Sequence, residues 1–358
     1  MVGSVLIDRF IAEKDFDDTS SFALFSTSQS GEEVHLFPDR SHRLQDAYDL
    51  NALAQMDILV SCQGGEYTKK VHPQLRSKGW VGFWIDAAST LRLDEKSVIV
   101  LDPVNREMID RKLEQGVKDF IGSNCTVAIM VMAIHGLFKE NLIEWVSNMT
   151  YQSASGVGAK GIEEMIQQMN ILSHVGRKSP GESILALERR LTETMNDSSF
   201  PQEKLKTALA GNIIPWVDRR MDNGQSREEW KGFKETNKIY GFNPPIPIDG
   251  TCVRVGVTRC HSEGLTIKLK KNLPIETIEE KIRSAHEWVH WVPNEGDITV
   301  QKLTPSKISG KLSIGVGRVR KMEMGGEYLN VFCIGDQLLW GAAEPLRRTI
   351  LILMGLLK

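Results

Sequence analysis

Four short apolar runs shape what this chain can fold into: Asp57-Ile58-Leu59-Val60-Ser61, Gly82-Phe83-Trp84-Ile85-Asp86, Ser97-Val98-Ile99-Val100-Leu101 and Phe120-Ile121. None shows the apolar–polar alternation of a strand with one wet face. Helical patterns interleave with them, over Val2 to Ala12, Glu66 to Lys78 (despite Pro73) and Val127 to Phe138. Continuous apolar strands that alternate with helices bury both faces in a parallel sheet covered on both sides. The first part of the chain is therefore expected to be α/β and doubly wound, with one more strand at Phe22-Ala23-Leu24-Phe25-Ser26.

The second half reads differently. Trp145 to Tyr151 is strand-like, and Gly158 to Ser173 and Ser183 to Met195 are helical. After Gly250 the expected strands follow closely, at Cys252 to Val257, Leu265 to Leu269, Ile298 to Leu303, Leu312 to Arg320 and Leu329 to Ile334. Strands with little helix between them predict a mostly antiparallel sheet with one covered face, hence an α+β domain. A final helix from about Glu344 to Leu357 is expected to pack back on the first domain. At 358 residues the chain suits two cores.

Composition narrows the function classes. Hydrophobic residues make up 41% and charged residues 25%, with a net charge of −2, so no nucleic-acid or membrane partner is expected. The apolar run Leu351 to Leu357 is too short to span a bilayer. Five scattered cysteines, Cys62, Cys125, Cys252, Cys260 and Cys333, read as reduced thiols of a cytoplasmic protein rather than a disulfide frame.

Cys125 stands between an apolar run and a long apolar helix. Unpaired N–H groups at a helix start favour a thiolate, the form that attacks carbonyls and leaves again. The competing reading of a small buried hydrophobe suits the other four cysteines, which lie within or beside strands. His261, after the strand that starts at Arg254, is a candidate acid/base partner. His286 and His290 have i, i+4 spacing, but no HExxH pattern or third ligand accompanies them; a solvated helix face is expected, and no metal. Arg227, Arg318, Arg320 and Arg347 read as surface or interface charges.

Several segments keep the order of a known family. Ser123-Asn124-Cys125-Thr126, Tyr151-Gln152-Ser153-Ala154-Ser155-Gly156, Gly224 to Lys231, Glu235-Thr236-Asn237-Lys238, Arg254 to His261 and Gly335 to Pro345 resemble the active-site segments of bacterial (Gram-negative type) aspartate-semialdehyde dehydrogenases. The resemblance runs from Met1 to the last helix. It implies an NADP-binding Rossmann-like domain at 1–123 and 344–358, and a catalytic and dimerisation domain at 124–343, assembled as a homodimer.

By the same resemblance Cys125 is the nucleophile, His261 the general acid/base, and Gln152 the residue that orients substrate. Arg254 would grip the substrate α-carboxylate and Glu235 its amino group. Arg92, Asn124 and Lys238 would bind phosphate. Planar arginine and point-charge lysine suit these anions, although Glu235 and Lys238 by themselves read as a surface i, i+3 pair. The implied reaction converts L-aspartyl 4-phosphate to L-aspartate 4-semialdehyde through a Cys125 thioester, for lysine, threonine, methionine and diaminopimelate synthesis. A catalytically impaired paralogue or a truncated product is the alternative reading.

For the cofactor, the expected second strand ends in Ser26-Thr27-Ser28-Gln29 with no carboxylate to hold a ribose, which favours NADP over NAD. Met1, Val2, Thr27, Ser28, Gln63, Ser155, Gly156, Pro180 and Gln337 match cofactor-contacting positions of the family. Family members begin with a strand and a glycine-rich turn ahead of the helix that starts here at Met1-Val2-Gly3. About ten residues are therefore expected upstream of the given start.

Overall fold

The computed structural model describes residues 1–18, 21–37 and 40–357. The chain divides into two compact units. One comprises Val2–Asn124, Lys238–Tyr240 and Ala342–Lys358; the other comprises Met1, Cys125–Asn237 and Gly241–Gly341.

The first unit is built on a four-stranded sheet in the order Ile58–Ser61, Phe83–Asp86, Asp119–Gly122, Ser97–Val100, every pair parallel. The apolar runs form these strands because both faces are covered. Ile85, Val98, Val100 and Phe120 pack with Leu6, Ile109, Leu346 and Ile350 from three helices, Val2–Glu13, Asp102–Glu114 and Glu344–Leu353. On the opposite face Leu59, Trp84 and Ile121 meet Tyr67, Val71 and Leu75 of the helix Gly65–Ser77. The C-terminal helix thus joins this core as expected, although it ends at Leu353.

Arg347 is not a surface charge. It is 7% exposed, and its guanidinium takes Asp15 in two bonds of 2.5 and 2.8 Å while donating to Glu344 at 2.8 Å. Two carboxylates replace the water it gives up. The strand expected at 22–26 is shorter, Phe25–Ser26, and pairs in parallel with Gln45–Asp46 in a separate two-stranded sheet.

The second unit holds a seven-stranded sheet in the order Ile213–Ile214, Ile248–Val255, Ile143–Gln152, Cys260–Leu269, Gly325–Asp336, Ile314–Met322, Val289–Trp291. Four of its six pairings are antiparallel; the second with the third strand and the last two are parallel. The strand expected at Ile298 to Leu303 is a helix, Gly296–Lys302. Period two would place Val300 beside Ile298 on one face, but Val300 is 70% exposed, and Ile298 and Leu303 are the residues that pack inward. His286 and His290 share no helix: His286 Nε2 lies 2.9 Å from the Met132 carbonyl oxygen, and His290 belongs to the strand Val289–Trp291. The helix expected at 127–138 breaks at Ile134 (φ −120°) into Cys125–Ala133 and His135–Lys139. Among the described residues no helix is long and apolar enough to cross a membrane, and no cluster of His, Cys, Asp or Glu could hold a metal ion.

Candidate active site

Cys125 opens the helix Cys125–Ala133, whose other eight residues are all buried. A helix apolar all round must sit inside a core. It packs on the strands Cys260–Leu269, Ile314–Met322 and Gly325–Asp336, where Gly335 permits the approach: a Cβ there would meet Ile129 Cγ1 at 2.6 Å. Cys125 itself is half-buried. Gly341 lies against it so closely that a Cβ would stand 2.7 Å from the Cys125 Cβ.

Three neighbouring strands deliver the facing side chains. Gln152 ends Ile143–Gln152 and is paired in register with Arg254, near the end of Ile248–Val255. On its other side that strand pairs with Cys260–Leu269, Tyr151 opposite Ser262, so His261 arrives at the same end. Strand alternation puts His261 in phase with Glu263, Leu265 and Ile267, and Gln152 in phase with Thr150 and Asn148, all buried. Gln152 donates from Nε2 to Thr150 Oγ1 at 3.1 Å.

His261 Nε2 lies 3.2 Å from Cys125 Sγ. On the other side of the ring, the Ser153 N–H donates to Nδ1 at 3.0 Å, and Ser153 Oγ is 3.1 Å from the same atom. Burial, helped by the Arg254 charge and opposed by Glu228 and a bond to the Cys260 backbone, pushes the imidazole down to about 3. Arg254 is 8% exposed and donates from NH1 to the Ser153 carbonyl oxygen at 2.7 Å. Burial moves it below its ordinary value. A Cβ on Gly156 would come 2.9 Å from Arg254 NH1, so a side chain there would make the guanidinium shift.

Glu235 is 2% exposed on the helix Arg227–Tyr240. That helix is held at its start by a reciprocal cap between Ser226 and Glu229. Its last turn, Lys238–Tyr240, clusters with the first unit. There Lys238 Nζ donates to the Asp94 carbonyl oxygen at 2.6 Å and to Ser97 Oγ at 3.1 Å. Arg92, 7% exposed, gives Nε to the Gly122 carbonyl at 2.6 Å and NH2 to that of Ala87 at 3.0 Å. Asn124 is buried beside Cys125 in sequence. The structure therefore brings Cys125, His261, Gln152 and Arg254 together within the second unit, while Arg92, Asn124 and Lys238 belong to the first.

The residues expected at the cofactor fall in both units. In the first, Thr27 Oγ1 donates to Gln63 Oε1 at 3.0 Å. Ser26 Oγ shapes the turn by accepting from the N–H groups of Ser28 at 3.3 Å and Gln29 at 3.0 Å. Thr27, Ser28 and Gln63 are exposed, and Val2 opens the first helix. This turn offers hydroxyls and amides, and Gln29 Nε2 donates to Glu32 Oε2 at 3.1 Å. In the second unit, Gln337 Nε2 donates to Ser155 Oγ at 2.6 Å, next to Gly156, while Pro180 and Met1 are exposed.

Two participants escaped sequence reading. Ser153 is the residue bonded to His261, and Glu228, 6% exposed, acts electrostatically on His261, Arg254 and Glu263. Both lie in segments that resemble the family's active-site segments, but their roles come from tertiary structure: strand register sets Ser153 behind the ring, and Glu228 comes from the helix Arg227–Tyr240.

Residues 134–340 match the family model of the semialdehyde dehydrogenase dimerisation domain, and residues 1–112 that of the semialdehyde dehydrogenase NAD binding domain. Among solved structures the chain is similar to the aspartate semialdehyde dehydrogenase of Francisella tularensis, at 50% identity over 99% of this chain and 97% of that one, with a TM-score of 0.96. Aspartate semialdehyde dehydrogenase II of Vibrio cholerae, solved in complex with ASA, is 25% identical over 98% of this chain and 95% of that one, with a TM-score of 0.78. The Candida albicans enzyme, solved with NADP, shares the fold, at 17% identity over 99% and 97% of the two chains and a TM-score of 0.64. The first unit is a Rossmann-type NAD(P)-binding domain with a parallel sheet, and the second a dimerisation domain with a mixed, mostly antiparallel one. With both domain models matched and a relative half identical almost end to end, the chain belongs to the aspartate-semialdehyde dehydrogenase family.

Proposed function

We propose that this protein is an NADP-dependent aspartate-semialdehyde dehydrogenase that reduces L-aspartyl 4-phosphate to L-aspartate 4-semialdehyde and releases phosphate. The observation that carries the reading is Cys125 Sγ, at the start of a buried helix, 3.2 Å from His261 Nε2. A nucleophile within reach of a base whose ring is oriented from behind is the arrangement covalent acyl chemistry needs.

The Cys125 thiolate attacks the acyl carbon, forming the S–C bond while the C–O bond to phosphate breaks and phosphate leaves with the electron pair. Arg254 takes the α-carboxylate and Glu235 the ammonium group; Gln152 orients the reacting carbonyl. Arg92, Asn124 and Lys238 are the proposed phosphate ligands. Thr27, Ser28, Gln63, Ser155, Gly156, Pro180 and Gln337, with Met1 and Val2, would hold NADPH, whose chemistry would be hydride donation to the thioester carbon. His261, carrying the proton it took from Cys125, would give it to the thiohemiacetal oxygen and take it back as the carbonyl re-forms and the C–S bond breaks, so that Cys125 leaves as thiolate. One buried arginine, Arg254, and one buried acid, Glu235, support a free amino-acid head group over other acyl phosphates. The product would serve lysine, threonine, methionine and diaminopimelate synthesis in the cytoplasm, and the working form would be a homodimer.

The test is phosphate-dependent NADP reduction by the purified protein with aspartate semialdehyde, run beside N-acetylglutamate semialdehyde and glyceraldehyde 3-phosphate, and with NAD in parallel. Turnover confined to aspartate semialdehyde and at least about tenfold better with NADP, about 1.4 kcal/mol of discrimination, upholds the reading. Preference for either other aldehyde, or for NAD, overturns the corresponding part.

A further inference from the structure

The reaction proposed above, on which this inference rests, needs His261 to accept a proton at Nε2. In the structure the Ser153 N–H donates to Nδ1 at 3.0 Å. A neutral imidazole whose Nδ1 is an acceptor carries its hydrogen on Nε2, here aimed at Cys125 Sγ 3.2 Å away. That tautomer cannot take the thiol proton. The ring becomes a base at Nε2 only when Nδ1 holds a hydrogen, and a hydrogen there, deep in the protein, needs an acceptor.

Ser153 Oγ, 3.1 Å from Nδ1, is the hydroxyl within reach to be that acceptor when the ring carries its hydrogen on Nδ1. It lies 2.8 Å from Ser155 Oγ, which reaches the Arg259 carbonyl oxygen at 3.3 Å and accepts from Gln337 Nε2 at 2.6 Å. With Nδ1 protonated, Ser153 Oγ accepts from Nδ1–H and donates to Ser155 Oγ; Ser155 Oγ donates to Arg259 and receives Gln337. Each hydroxyl has one outgoing bond and at least one incoming bond. His261, Ser153, Ser155 and Gln337 are all at most 5% exposed, so bulk water cannot take the place of this chain. Other influences on the ring divide: burial most of all, then Arg254 and the Ser153 N–H, oppose a second ring proton, while Glu228 and the Cys260 backbone favour it. At the far end Arg259 is paired with Asp336 at 2.6 Å.

We propose that Ser153 is a positioning residue: its hydroxyl accepts the Nδ1 hydrogen of His261 and so turns Nε2 into a base toward Cys125, with Ser155 and Gln337 orienting that hydroxyl. The proton leaves Sγ and binds Nε2 while the Nδ1 hydrogen stays on the ring, and the return step reverses this. Without the hydroxyl the thiolate–imidazolium pair loses its support, and Cys125 becomes a thiolate only by losing its proton to solvent, at higher pH.

The test is the rate of Cys125 alkylation by iodoacetamide against pH, read on the Cys125 peptide by mass spectrometry, in the full chain without substrate or nucleotide. Ser153→Ala removes one oxygen, and its melting temperature reports that the fold is kept. Its alkylation midpoint should rise by about one pH unit, slowing modification at neutral pH by about tenfold, and Ser153→Thr, which keeps the hydroxyl, should hold the wild-type midpoint. An unchanged midpoint in Ser153→Ala, or one displaced equally in Ser153→Thr, overturns the proposal. Iodoacetamide reports the thiolate whatever the substrate is, so a failed semialdehyde assay and a failed hydroxyl role are separate outcomes.

Discussion

Cys125 and His261 are 136 residues apart in the chain, and their Sγ and Nε2 atoms are 3.2 Å apart. Surrounding structure sets both positions. Cys125 is fixed by a helix buried on all sides and by Gly341 at its back, and His261 by a strand paired on both edges and by Ser153 behind the ring.

Cys125→Ala should abolish turnover, by several orders of magnitude in kcat, because the covalent route has no substitute nucleophile. The side chain is half-buried and loses only its sulfur, so the melting temperature should move by a few degrees at most. Steady-state kinetics and thermal melting check both halves. Activity within tenfold of wild type would sink the assignment.

Gly156→Ala places a Cβ where Arg254 NH1 lies, at 2.9 Å. The guanidinium must shift and its bond to the Ser153 carbonyl must lengthen. Because that arginine is proposed to hold the substrate carboxylate, KM for aspartate semialdehyde should rise by about tenfold, the loss of about 1.4 kcal/mol of binding. A KM equal to wild type would separate Arg254 from substrate binding.

Stability should fall on acidification in a way that depends on His261. Its folded value of about 3 lies below the ordinary value of 6.5. Between these values the unfolded chain binds the proton that the folded ring refuses, so stability rises with pH and is lost as pH falls below about 6.5. His135, held down at about 4 chiefly by burial, acts in the same direction. At pH 5 the His261 contribution alone is about 2 kcal/mol. Urea unfolding at pH 7 and pH 5 should show His261→Asn losing less stability than wild type by about that amount. Equal losses would mean that the ring is protonated in the folded protein.

The turn at Ser26–Gln29 should set the nucleotide preference. Ser28 is exposed on a turn shaped by Ser26 Oγ. Ser28→Asp adds a carboxylate that repels a 2′-phosphate and can hold a free ribose hydroxyl. The ratio of kcat/KM for NADP to that for NAD should drop by at least about tenfold, equivalent to 1.4 kcal/mol. An unchanged ratio would move 2′-phosphate recognition away from this turn.

Much of the architecture could be read from local pattern alone. Ile58–Ser61, Phe83–Asp86, Ser97–Val100 and Asp119–Gly122 announce a sheet covered on both faces because continuous apolar runs have nowhere else to go. Val127 to Ala133 announces a buried helix because its apolar residues run without a break, and the structure starts that helix two residues earlier, at Cys125. Where the local pattern was weak it misled. Ile298 to Leu303 fits either period, and the exposure of Val300 decides for a helix. Arg347 looks like any surface arginine until Asp15 and Glu344 are found around it.

Periodicity and residue chemistry are local properties, so the parallel and antiparallel halves, a buried helix after Cys125 and the residue types able to do acyl chemistry are legible in the chain. Long-range strand pairing is what gives Gln152 and Arg254 one register, brings His261 to the same end, and lets Ser153 present its N–H and its hydroxyl to one ring nitrogen. These relationships come from pairing between strands about a hundred residues apart. A single-residue slip in that pairing turns every side chain to the opposite face, so the cooperative packing of the whole sheet sets them.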